Sequence, residues 1–179
     1  MRGHLGGSTN GAMRAHPIVL MMDSPHPSRV YDEEVVRGSG TNADVLNDLL
    51  RDLPIQRVKE TAGPLWHRHE EIRELDPDLV LIHLSAFCVE VCEPGRVKLR
   101  RFIEYLAPGH AQFLIYSRLP PDSLAMRYEE MMGDLPQRFP GLPARIHTFS
   151  VVQYGPPHWK DPQMSAEFKL RVKELLHLK

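Results

Sequence analysis

Five short runs of apolar residues divide the chain, and segments with helical spacing lie between them. The runs cover Ile18 to Met22, Ile55 to Val58, Leu79 to Leu84, Phe113 to Tyr116, and Ile146 to Val152. Runs of about four to eight apolar residues are typical of strands that are buried on both faces. The pattern therefore predicts five strands that alternate with helices.

The segments between the runs carry signals for the starts of helices. Thr41 followed by Asp44 resembles a capping box. Leu65 to Leu75 has helical spacing, and Pro94 and Pro121 suit first helical positions. Ser165 is predicted to cap a last helix, whose apolar stripe consists of Phe168, Val172, Leu175 and Leu176.

Alternating strands and helices predict crossover connections and a sheet that helices cover on both faces. The fold class is therefore α/β, a three-layer αβα sandwich around a five-stranded, mostly parallel sheet. The first 13 residues contain Gly, Ser and Asn in place of an apolar run, so residues 1–15 are predicted to form a flexible tail and residues 16–179 a single domain. Such sheets bind ligands outside the carboxyl ends of their strands.

Composition limits the classes of partner. The 179 residues have a formal net charge of −1, which provides no field to steer the whole protein toward nucleic acid or an anionic membrane. The cluster of Arg96, Lys98, Arg100 and Arg101 is interpreted as the solvated face of a helix. No apolar stretch approaches the roughly 20 residues that span a bilayer, and no signal peptide is visible. We expect a cytoplasmic protein.

Two polar residues at the ends of the predicted elements are candidates for chemistry. Ser24 directly follows the first strand, and His158 shortly precedes the last helix. Both positions are predicted to lie at the same edge of the sheet, where a hydroxyl and an imidazole would form a nucleophile and its base. Ser24 in Asp-Ser-Pro also has a structural interpretation, because these residues are common in turns.

The motifs around these residues resemble those of the SGNH, or GDSL, hydrolase family, in order and spacing over most of the chain. The matching positions are Met22-Asp-Ser24, Gly63, Pro77 to His83, and His158-Trp159. The resemblance implies a flavodoxin-like fold and cleavage of esters or removal of acetyl groups. It also implies that Ser24 is the nucleophile, that His158 is the general base, and that Gly63 donates a backbone N–H to the oxyanion.

The chain departs from the family pattern at three positions. Met22 replaces the first glycine, Phe87 replaces the asparagine of the third motif, and Gly155 replaces the aspartate of the last motif. The asparagine donates to the oxyanion and the aspartate orients the histidine, so substitutes are needed. Ser85 could donate a hydroxyl and Asp161 could orient the ring, or a backbone carbonyl could do so.

Two further residues at strand ends, His83 and Arg118, are candidates for facing the substrate. The structural alternatives are a core histidine for His83, a surface ion pair for Arg118 and a strand-end cap for Ser85. These alternatives stay open at the level of the sequence.

Other kinds of site find less support in the sequence. Cys88 and Cys92 lack the spacing of a zinc site and are interpreted as reduced packing residues. His67 and His69 do not share a helix face, so no metal is predicted. A receiver domain needs an acidic residue at the end of strand three, where this chain has His83. The first strand is not followed by G-x-G-x-x-G, and no cofactor is predicted.

The leading hypothesis is an SGNH-like serine hydrolase that acts on a small-molecule ester or an acetylated substrate such as a carbohydrate. The alternative is a catalytically inactive SGNH-like module that binds a small molecule or a partner protein at the same edge. The sequence predicts neither nucleic acid nor membrane as a partner, and the oligomeric state stays open.

Overall fold

A parallel sheet of five strands forms the centre of the protein. The computed structural model describes residues 14–23, 42–61, 65–84, 93–117, 119–154 and 161–179. The strands run side by side in the order β2-β1-β3-β4-β5, and each neighbouring pair is parallel. Their bounds are β1 Ile18–Asp23, β2 Gln56–Thr61, β3 Leu79–His83, β4 Gln112–Ser117 and β5 Ile146–Ser150.

Helices connect successive strands, and a last helix follows β5. Their bounds are α1 Asn42–Leu49, α2 Leu65–Leu75, α3 Glu93–Leu106, α4 Pro121–Met132, α5 Leu135–Arg138 and α6 Pro162–Leu175. A single turn of 3₁₀ helix, Pro143–Arg145, leads into β5.

Side chains that alternate along the central strands build two separate cores. One core joins the sheet to α1 and α6, and it contains Val19, Met21, Leu46, Leu79, Leu81, Leu114, Tyr116, Met164, Phe168 and Val172. The other joins the sheet to α2, α3 and α4, and it contains Leu20, Met22, Ile72, Val80, Ile82, Leu99, Ile103, Phe113, Ile115 and Leu124. Strands β1, β3 and β4 are thus buried on both faces, as their continuous apolar character predicts.

The placement of the helices follows from the order of the strands. The chain moves from β1 to β2 in one direction and then reverses to add β3, β4 and β5. A constant crossover handedness requires the connecting helices to change faces at such a reversal, and α1 lies opposite α2, α3 and α4. The protein is therefore an α/β three-layer sandwich with the strand order of the flavodoxin-like folds. The predicted fold class is confirmed.

Some predicted boundaries are wrong. The last helix begins at Pro162 with Asp161 as its N-cap, so Ser165 lies inside it, and the Ser165 N–H donates to the Asp161 carbonyl. Asp followed by Pro is the stronger start, because Asp caps well and Pro suits the first helical position. Helix α3 begins at Glu93, one residue before the predicted Pro94. Thr41 of the predicted capping box lies outside the described residues.

Candidate functional site

The carboxyl ends of the five parallel strands form one edge of the sheet, where the sequence predicts the site. Most of the predicted site residues lie outside the described residues: Ser24, Gly63, Ser85, Arg118 and His158. The same holds for Phe87, Cys88, Cys92 and Gly155. Their predicted roles stay predictions.

The reversal of strand order falls between β1 and β3 at this edge. Asp23 ends β1 and His83 ends β3, and the two strands are hydrogen-bonded neighbours. Ser24 is the next residue after Asp23 in the chain, and Ser85 comes two residues after His83. In open α/β sheets, the crevice at such a reversal is the usual place for a ligand.

His83 belongs to the core at the end of β3. It is 5% exposed, and its ring packs edge-on against Tyr116 of the neighbouring strand with the centroids 5.1 Å apart. Tyr116 in turn contacts Phe168 of α6, at 5.4 Å between centroids. The structural interpretation of His83 as a core histidine agrees with this packing. The ring lies on the face of the sheet that α1 and α6 cover.

The serines that end β4 and β5 form hydrogen bonds with backbone groups at this edge of the sheet. The buried Ser117 hydroxyl accepts from the Leu119 N–H at 3.3 Å. The Ser150 hydroxyl donates to the Leu119 carbonyl at 2.6 Å and accepts from the Val152 N–H at 3.4 Å. Both side chains fix the turns that follow their strands.

Asp161 caps the helix that follows the His158 segment. Its carboxylate oxygen Oδ1 accepts from the Gln163 N–H at 2.9 Å and from the Met164 N–H at 3.0 Å. These bonds satisfy two backbone donors at the start of α6. Asp161 therefore has a structural role, and its predicted role in orienting His158 stays a prediction.

A polar cluster that the sequence analysis missed connects the two sides of residues 155–160. The Tyr154 hydroxyl donates to the Glu167 carboxylate. Gln153 donates to the Tyr154 hydroxyl at 2.8 Å, and Gln163 donates to Glu167 at 2.8 Å. Gln163 and Glu167 are four residues apart and thus share a face of α6, which is the only signal the sequence gives.

The charges of this cluster follow from its contacts. Burial and the bond to Glu167 raise the pKa of Tyr154, while the bonds from Tyr154 and Gln163 lower the pKa of Glu167. At neutral pH a neutral phenol therefore donates to a carboxylate. The cluster ties the chain before residue 155 to α6 after residue 161.

Comparisons with known proteins give no family for this chain. No family model matches it, and no curated protein matches it. One similar solved structure is the crystal structure of a response regulator receiver protein from Burkholderia phymatum. The TM-score is 0.47 at 14% sequence identity, over 91% of this chain and 97% of that chain. The fold assigned above rests on the strand order and helix placement of this chain itself.

Within the described ranges, no group of three or more His, Cys, Asp or Glu side chains is arranged to hold a metal ion. None of the helices in that part of the chain is long and apolar enough to cross a bilayer.

Proposed function

We propose that this protein is a serine hydrolase that cleaves an ester or removes an acetyl group from a small molecule or a carbohydrate. In this proposal the Ser24 hydroxyl attacks the carbonyl carbon and His158 accepts its proton. The bond from that carbon to the alcohol oxygen then breaks, and His158 returns the proton to the leaving alcohol. A water molecule finally releases the acid from Ser24. The backbone amides of Ser24 and Gly63, together with the Ser85 hydroxyl, stabilise the oxyanion.

The observation that carries the proposal is the position of β1 in the sheet. Strand β1 lies between β2 and β3, at the reversal of strand order, and Ser24 directly follows its last residue. Gly63 and Ser85 each come two residues after the two strands that flank β1. The proposed nucleophile and oxyanion donors thus follow three adjacent strands at one edge.

The position of α6 supports His158 as the base. Phe168 packs against Tyr116 near the carboxyl end of β4, whereas Arg171 contacts His147 near the start of β5. Helix α6 therefore runs from the carboxyl edge toward the opposite edge, and its cap Asp161 marks the carboxyl side. His158 is three residues before that cap, a chain length of at most about 11 Å.

The departures from the family pattern favour the second candidate function, a module that binds a small molecule or a protein without catalysis. Phe87 and Gly155 stand where the family has its asparagine and aspartate. Loss of one oxyanion donor typically costs about 10²–10³ in rate, and loss of the orienting carboxylate costs about 10⁴ in a serine protease. We therefore expect slow turnover from the chain as it stands.

Turnover of p-nitrophenyl acetate tests the proposal. The Ser24→Ala variant is expected to lose the protein-dependent rate, because it removes the attacking oxygen. Ser150→Ala is the matched control, since it removes a hydroxyl at the same edge of the sheet but at the end of β5. It is expected to keep the wild-type rate. Equal rates in the wild type and in folded Ser24→Ala would exclude Ser24 from the mechanism.

A further inference from the structure

His147 of the edge strand β5 contacts helix α6 through one nitrogen of its ring and strand β4 through the other. Its Nδ1 lies 3.3 Å from Nη2 of Arg171 on α6, and its Nε2 lies 3.1 Å from the Gln112 side-chain oxygen at the start of β4. His147 is half-buried between these elements. The imidazole thus connects two strands and one helix.

The partners determine the protonation state of the ring. A guanidinium can only donate, so Nδ1 must accept from Arg171 and carries no proton. The Nε2–H then donates to Gln112. A second proton on the ring, at Nδ1, would remove the acceptor and place an N–H group opposite the N–H groups of Arg171. Only the neutral imidazole makes both contacts.

The charged side chain that contacts the ring opposes its protonation. From α6, Arg171 faces the ring, and its Nη1 lies 3.0 Å from Glu174. From β4, the contact is the neutral Gln112. Arg145, two residues before His147, turns its guanidinium to the carbonyls of residues 107, 109 and 111. Burial, and then the charge of Arg171, lower the pKa of His147.

We propose that His147 is a pH-sensitive latch that holds α6 on the sheet when its imidazole is neutral and weakens that contact when it is protonated. The unfolded chain takes up the proton more readily than the folded one. The contribution of the latch is therefore complete above the ordinary pKa of 6.5, and it is lost as the pH falls from that value through the lower pKa of the folded state.

The latch also reaches the candidate site, a step that rests on the proposed function. Helix α6 begins at the carboxyl edge, directly after the segment that contains His158. Weaker docking of α6 in mild acid therefore removes support from the proposed general base. In this proposal, mild acid lowers the activity of the hydrolase through His147 of β5, which contacts α6 at Arg171.

Hydrogen exchange of the backbone amides tests the latch independently of any activity. Protection factors, corrected for the intrinsic pH dependence of exchange, are compared at pH 7.5 and pH 5.5, where carboxylates remain ionised. In the wild type, the amides of residues 169–175 should lose protection at least about twofold at the lower pH. Amides of residues 99–106 in α3, on the other face of the sheet, serve as the internal reference.

His147→Gln is the matched variant, because its amide can bond to neighbours without taking up a proton. It should show no pH-dependent loss in residues 169–175 beyond that of the α3 reference. Arg171→Gln is the second variant, for use if His147→Gln does not fold. It removes the cation that faces the ring and should reduce the pH-dependent loss of protection. Equal losses in α6 and α3 of the wild type, or the same loss in either variant, would overturn the latch. Because hydrogen exchange requires no substrate, its result does not depend on whether the protein is a hydrolase.

Discussion

Asp161 shows how one residue can carry both a structural and a proposed catalytic role. Its carboxylate accepts from two backbone N–H groups at the start of α6, and the same residue is a candidate for orienting His158. The first role is visible in the structure and depends on an oxygen acceptor at this position. The second depends on the negative charge.

Two substitutions separate these roles. Asp161→Ala removes the cap and should lower the free energy of unfolding by about 1 kcal/mol, whereas Asp161→Asn should keep most of the stability, because Asn caps as well as Asp. Urea unfolding measures both. An asparagine variant as unstable as the alanine variant would contradict the capping role. If Asp161→Asn keeps its stability but its kcat falls, the orienting role is assigned to the negative charge.

At the scale of elements, α6 is held on the sheet by an aromatic cluster. Phe168 is fully buried and contacts both Tyr116 of β4 and Phe149 of β5, at 5.4 and 5.2 Å between ring centroids. The edge-on contacts between these rings stabilise the packing beyond what their buried area contributes. The cluster makes Phe168 the central apolar contact between this helix and the sheet.

Removal of that ring should be costly. We expect Phe168→Ala to lower the free energy of unfolding by about 3–5 kcal/mol, because it leaves a cavity between α6 and two strands. Leu170→Ala is the control on the same helix, since Leu170 is 55% exposed; it should change stability by less than about 0.5 kcal/mol. Thermal or urea unfolding compares the two. Similar losses in both variants would contradict the packing of α6 described above.

The elements also show what the sequence could predict. The central strands were visible as continuous apolar runs because both of their faces are buried. Strand β2 extends three residues beyond its predicted end, through Lys59 to Thr61, because it lies at the edge of the sheet and polar side chains are tolerated there. Helix α5 has only four residues, too few to show a helical period.

For the whole molecule, the alternation of strands and helices is enough to predict the three layers of the sandwich. It does not predict the side-chain contacts between elements that are distant in the sequence. The Tyr154–Glu167 pair and the ring of His147 between Gln112 and Arg171 join residues 13 to 35 positions apart. No spacing rule predicts such pairs, because each joins two elements that meet only in the folded protein. The candidate nucleophile and base came instead from the order of motifs, which indicates an edge of the sheet but not a distance.

Ser24 is proposed to be an activated nucleophile, and covalent labelling by a fluorophosphonate probe distinguishes this role from that of a turn serine. The probe reacts with a serine whose hydroxyl is activated by a base, whereas a turn serine does not react. Folded wild-type protein, heat-denatured wild type and Ser24→Ala are treated alike, and the modified peptide is located by mass spectrometry. We expect one adduct, on Ser24, and only in the folded wild-type protein. An unlabelled folded protein, or an adduct that persists in Ser24→Ala, would contradict it, and the unlabelled result would favour the binding module.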